Sequence, residues 1–293
     1  MVREKKTKSG PLLEIDFCHV FSDGRSIPTR EPKTKPSTEE QDKYNREQAK
    51  KKLIRIVNEN FDSTDILMHP TYEQKNAPLT ESAARRDMQN YIRRQKTFRA
   101  SEVKRLTKLL RKNPNDKRIR KNLSKLSEPF KYVYVLEKVT YKSGDKAGQT
   151  NWHFHLFMTG GGDGDRDRAE EIWPGGIRTN ADRFRPEMWG PEAAARYMAK
   201  DTQGVRRFAY SRNMKKPKPP KVKDGRLSKN QVEKLAKLRD TDSEYWEKRH
   251  KGYRFLRCYA RKNPYNGLYY VSVIMYKTGG QAPKWEVEEW LTE

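Results

Sequence analysis

An α+β fold, with helices packed on one face of an antiparallel sheet, is what this 293-residue chain predicts, and three observations predict it. Residues 131–140 (KYVYVLEKVT) and 151–159 (NWHFHLFMT) are β-branched and aromatic, and the polar stretch between them makes an antiparallel hairpin the simplest connection. Behind Thr80, the residues Ala84, Met88, Tyr91 and Ile92 recur at helical spacing, as on a helix with one buried face. Charged stretches rich in Lys and Pro flank this core and cannot bury much apolar surface, so they read as extensions.

Taken in order, residues 1–51 read as a basic N-terminal arm and helix. Residues 23–50 are poor in large apolar side chains, and a helix starts near Glu39, with Ser37 or Thr38 as N-cap and Tyr44, Leu53 and Ile54 on its face. Residues 52–217 form the central domain. It opens with a strand at 65–72 (DILMHPTY), continues into the helix capped by Thr80, and carries at 101–127 a basic helical pair broken around Asn113-Pro114, an exposed insertion. The hairpin follows, then a loop at 160–164, a capped helix in DRDRAEEIW and a helix over 191–203. Pro217, Pro219 and Pro220 mark a boundary. Residues 218–293 form a C-terminal extension: a charged helix at 228–250 and a hairpin at 253–276 turning at Asn266-Gly267.

Composition narrows the function. With 64 Lys and Arg against 39 Asp and Glu, the net charge of +25 points to a polyanionic partner, nucleic acid first. Mean hydropathy is −1.14 and no apolar run approaches the ~20 residues of a membrane span, so no membrane partner is expected. The basic opening MVREKKTKSG is not a secretory leader. Cys18 and Cys258 form no CxxC pair, which argues against a disulfide scaffold or a cysteine zinc site and fits a reducing cytoplasm.

Two short strings carry the chemistry. On a strand, residues i and i+2 share a face, so His153 and His155 present two imidazoles side by side while Phe154 and Leu156 face the core. Glu137 lies in the partner strand and, if register brings it to the same face, completes a three-ligand divalent-cation site. In ARYMAKD, Tyr197 and Lys200 are three apart on one helical face, a phenolic nucleophile beside a fixed charge. The alternatives are a hydrogen-bonded histidine pair, a surface glutamate, a core tyrosine and a solvated lysine. His19, His69 and His250 are scattered and read as structural.

The ordered strings ILMHPTY, VYVLEK, HFH, IWPGG, YMAK and RRFAYSRNMKKP resemble those of the HUH endonucleases, specifically the rolling-circle replication initiators of single-stranded DNA phages and related plasmids. The resemblance covers about 52–217. Two departures are the single tyrosine, position 193 or 194 being alanine where some relatives have a second tyrosine, and His69-Pro70, where hydrophobic residues and threonine are more usual. The resemblance implies an HUH-type antiparallel sheet with the metal strands central, and Mg²⁺ or Mn²⁺ held by Glu137, His153 and His155. It implies that Tyr197 attacks a scissile phosphate to give a 5′-phosphotyrosine, with Lys200 assisting and Arg196, Arg212, Lys215 and Lys216 along the DNA. It further implies single-stranded or origin DNA as substrate, host helicase and DNA polymerase as partners, and a bacterial cytoplasm as location. Oligomeric state is left open.

Competing motifs are missing. There is no PCxxC of a zinc deaminase, no HExxH and no GxxxxGK[ST], so an ATP-driven helicase must come from elsewhere. DGDRD at 163–167 lacks the glycine and late glutamate of a calcium loop. A mobilisation relaxase or transposase with the same chemistry, and a non-catalytic nucleic-acid binder, are the alternatives.

Overall fold

A computed structural model describes residues 1–21, 39–141, 147–176, 180–183, 208–264 and 266–279. The chain divides into two compact units: Met1–Glu59 with Lys216–Glu293, and Asn60–Lys215. Each holds a five-stranded antiparallel sheet, and six α-helices are found among the described residues. None of the helices is long and apolar enough to cross a membrane.

The unit built from the two ends of the chain has strands β1 (Val2–Ser9), β2 (Leu12–His19), β8 (Lys221–Asp224), β9 (Tyr253–Lys262) and β10 (Tyr269–Lys277), in the order β8-β1-β2-β10-β9. One face of β2 and β10, with Leu13, Ile15, Phe17, Val271, Val273 and Met275, packs on Val232, Leu235 and Ala236 of α5 (Lys229–Leu238) and Trp246 of α6 (Ser243–Arg249). Helix α1 (Glu39–Asn60) buries Leu53 and Ile54 but leaves Tyr44 exposed, and it meets alternate residues of β2: Arg55 pairs with Glu14 and Lys51 with Asp16. Gly10 turns the β1–β2 hairpin at φ 54°, and a Cβ there would lie 2.1 Å from the Asn58 carbonyl oxygen, so both the turn and the approach of α1 require glycine.

Two expectations change here. Residues 2–19 are a hairpin rather than part of an arm, and they share one sheet with the strands expected as a separate C-terminal extension. The alternation of Leu13, Ile15 and Phe17 is a strand signal that the charged neighbours in VREKKTKS obscure, and its burial depends on β10, far along the chain. The helix expected at 228–250 is two helices, because Ser228 opens α5 with a reciprocal capping box and Asp242 caps α6 afresh.

The central unit has strands β3 (Ile66–Met68), β4 (Tyr132–Thr140), β5 (Thr150–Met158), β6 (Ala181–Arg183) and β7 (Ala209–Tyr210), ordered β6-β3-β5-β4-β7. The histidine strand β5 is therefore central. Helix α2 (Glu81–Lys112), capped by the Thr80 hydroxyl on Ala83 N–H, buries Ala84, Met88, Tyr91 and Ile92 against Met68, Tyr134, Leu136, Phe154, Leu156 and Trp173. The helical pair closes with α3 (Lys117–Ser127), begun by Asp116 after the break at Asn113-Pro114. It is anchored rather than dangling: the buried Arg99 guanidinium donates to the carbonyls of Thr159, Gly160, Lys125, Leu126 and Glu128. Helix α4 (Asp165–Glu171) follows the glycine-rich loop, and Tyr91 Oη reaches the Ala169 carbonyl at 3.0 Å.

Candidate metal centre

The sheet face opposite α2 gathers the polar residues. In β5, Trp152, Phe154, Leu156 and Met158 point into the core beneath α2, which leaves His153 and His155 on the other face. The β4–β5 register sets Glu137 opposite His153 and Val135 opposite His155, so Glu137 shares that face. On the other flank, Met68 pairs with Leu156 and Thr71 bridges to His153, so the same register carried through places His69 opposite His155. β3 is interrupted between these points because Pro70 has no N–H; its carbonyl still accepts from Phe154 N–H at 2.9 Å. His69 thus stands with the pair.

The three rings form a tight group. His69, His153 and His155 offer one nitrogen each, all within 4.8 Å of one another. His69 and His155 approach Nδ1 to Nδ1 at 3.0 Å, and the His153 and His155 centroids are 4.6 Å apart at 80°. His155 Nε2 lies 3.1 Å from Glu137 Oε2, and His153 Nδ1 lies 2.7 Å from Thr71 Oγ1. Thr71 is itself fixed, its carbonyl accepting from Trp173 Nε1 at 2.7 Å.

Burial lowers the His69 imidazole to about 4, helped by neighbouring His155 and opposed by Asp182 on β6. Burial likewise lowers His153 to about 4, with His155 and His69 adding to the effect and Glu137 opposing it. Both rings are therefore neutral near pH 7 and keep lone pairs for a cation. Three imidazoles beside a carboxylate fit a divalent first-row metal.

Of the residues singled out from sequence, His153, His155 and Glu137 come together. Glu137 sits at the far nitrogen of His155, a position from which a carboxylate either joins the ion or holds the ring. The histidine that sequence reasoning read as structural, His69, belongs to the cluster. Arg212, Lys215 and Lys216 are exposed. Tyr197, Lys200 and Arg196, with the helix expected at 191–203, lie outside the described residues. No protein-family model, curated protein or solved structure matches the chain.

Proposed function

We propose that the chain is a metal-dependent, single-tyrosine DNA endonuclease of the HUH type, nicking and rejoining one strand to initiate rolling-circle replication. The observation that carries the reading is the trio His69, His153 and His155 on and beside the central strand, with Glu137 at His155. The charge of +25 and the order of the motifs support it.

The residues that would hold the ion are the three histidines, with Glu137 joining them or fixing His155 from behind. A bound divalent cation supplies Lewis-acid polarisation of a phosphate oxygen. A third imidazole shifts the preference from Mg²⁺, a hard ion suited to oxygen ligands, toward Mn²⁺. The Tyr197 phenolic oxygen then attacks phosphorus and loses its proton to solvent. The bond from phosphorus to the 3′ oxygen breaks, and that oxygen leaves and takes up a proton. The products are a 5′-phosphotyrosine and a free 3′-OH, and reversal rejoins the strand. Lys200 stabilises the phenolate or the charge developing on phosphate, while Arg196, Arg212, Lys215 and Lys216 follow the DNA backbone. The 3′-OH would prime a host DNA polymerase behind a host helicase, in a bacterial cytoplasm.

The test incubates the chain with end-labelled single-stranded DNA and Mn²⁺ and looks for protein-linked label on a denaturing gel. Tyr197→Phe should bind DNA yet form no adduct, and chelator should abolish cleavage by the wild type. An adduct in Tyr197→Phe, or full cleavage in chelator, overturns the reading. Sequencing the attached DNA separates a replication origin from a mobilisation or transposition site.

A further inference from the structure

We infer that the α2–α3 hairpin is a docking surface for double-stranded DNA, distinct from the histidine face. Residues 93–127 hold fourteen Lys and Arg against two acids, a net +12 out of the +25 of the whole chain. Both acids are engaged locally: Glu102 pairs with Arg105 at 2.8 Å, and Asp116 caps α3. Asp163, from the loop before α4, takes Arg118 at 2.7 Å. Around the tip, Lys108, Arg111, Lys112, Lys117, Arg120 and Lys121 are all exposed, and no carboxylate among the described residues pairs with any of them.

Soluble surfaces ordinarily mix both signs of charge, so a single-sign field this dense calls for a polyanion. Like charges on two packed helices repel, and an apolar seam opposes that repulsion, with Leu106 and Leu126 buried in it. Arg99 ties the base of the hairpin to the loop after β5, so the cations stand on a fixed frame.

The form of nucleic acid follows from what the surface lacks. Single-strand sites combine cations with aromatic rings on which bases stack. The one aromatic residue of 93–127 is Phe98, half-buried at the base of the hairpin with the Arg168 guanidinium over its ring at 5.0 Å, and residues 101–127 contain no Phe, Tyr or Trp. Rigid helices bearing cations alone suit the fixed phosphate rows of a duplex, whose major groove of about 12 Å admits a helix. The inference rests on charge and frame, so it holds whether or not the histidine face cleaves DNA.

The experiment measures fluorescence anisotropy of the full chain with a labelled duplex and with its single strand, across a salt series without divalent metal. A six-site variant carries Lys108→Gln, Arg111→Gln, Lys112→Gln, Lys117→Gln, Arg120→Gln and Lys121→Gln. Two three-site halves (108/111/112 and 117/120/121) guard against misfolding, with circular dichroism as the check. The six-site variant should bind duplex at least tenfold more weakly, its log–log salt slope shallower by about 0.9 for every phosphate it no longer neutralises, and each half should give an intermediate loss. Single-strand affinity should change much less. A control with Lys223→Gln, Arg226→Gln, Lys234→Gln, Lys251→Gln, Arg254→Gln and Arg261→Gln, all exposed in the other unit, should keep its duplex affinity. Unchanged duplex affinity and slope in the hairpin variants, an equal loss for single strand and duplex, or an equal loss in the control would each overturn the inference.

Discussion

Thr71 decides which nitrogen His153 can offer. Its hydroxyl lies 2.7 Å from His153 Nδ1 and reaches weakly, at 3.5 Å, to the His69 carbonyl. Donating to that carbonyl, the hydroxyl accepts Nδ1–H and leaves the Nε2 lone pair for a cation. Thr71→Val should therefore weaken Mn²⁺ binding by about 10–100-fold while Thr71→Ser restores it, as measured by Mn²⁺ electron paramagnetic resonance. His69→Ala should lose the ion as completely as His153→Ala, and normal Mn²⁺ affinity in His69→Ala would remove His69 from the ligand set. The pair His153 and His155 was legible because a two-residue spacing on a strand fixes a shared face whatever lies alongside. His69 was not, since its facing depends on pairing with β5 and Pro70 breaks the strand pattern beside it. Counting alternate positions from the buried Met68 does place His69 and Thr71 on the polar face, a faint signal that was present all along.

Elements read well wherever local chemistry decides them. The hairpin expected over 131–140 and 151–159 is found one residue away at each outer end, and Thr80, Asn113-Pro114 and Asn266-Gly267 start, break and turn the chain where their side chains predict. Arg99 shows where such reading fails. Among fourteen basic residues it looks like one more solvated charge, yet it is buried and satisfies carbonyls from two segments, 125–128 and 159–160. Arg99→Met keeps much of the volume but strips those carbonyls of their donor, so it should cost at least about 3 kcal/mol. Hydrogen exchange at the β4 and β5 amides should report it as lost protection in the central unit, and unchanged exchange would mean the guanidinium is not the anchor.

At the scale of the molecule, the unit that unites the two ends of the chain has its own pH dependence. His250 ends α6 with its ring against Trp246, and its Nε2 has no hydrogen-bond partner among the described residues. Burial lowers it to about 4, with Lys6 and Arg249 adding to the effect and Glu4 opposing it. Unfolding lets the ring return to about 6.5 and bind a proton that the folded state refuses, so stability is full above that pH and falls as pH drops toward 4. The loss is on the order of 3 kcal/mol. Urea midpoints between pH 4 and 7.5 should show it, and His250→Gln should flatten the profile. Asp65 in the central unit acts in the opposite sense, since burial pushes its carboxyl up from 3.8 to about 6: the unfolded chain ionises it first, so stability is full below 3.8, falls as pH rises toward about 6 and stays reduced above it. Domain assignment was the least legible property of this sequence, because joining residues 2–19 to 253–277 is a long-range choice that no local pattern announces. That choice has a consequence in time. The central unit finds every sheet partner within Asn60–Lys215, and its ends are stitched together by reciprocal 2.8 Å bonds between Asn60 and Lys215. β2 must wait for β10, since 250 residues separate His19 from Tyr269. On a ribosome adding about 5–20 residues per second, the apolar face of Leu13, Ile15 and Phe17 stands without its strand partner for roughly ten to fifty seconds, and the first strands made are among the last to be finished.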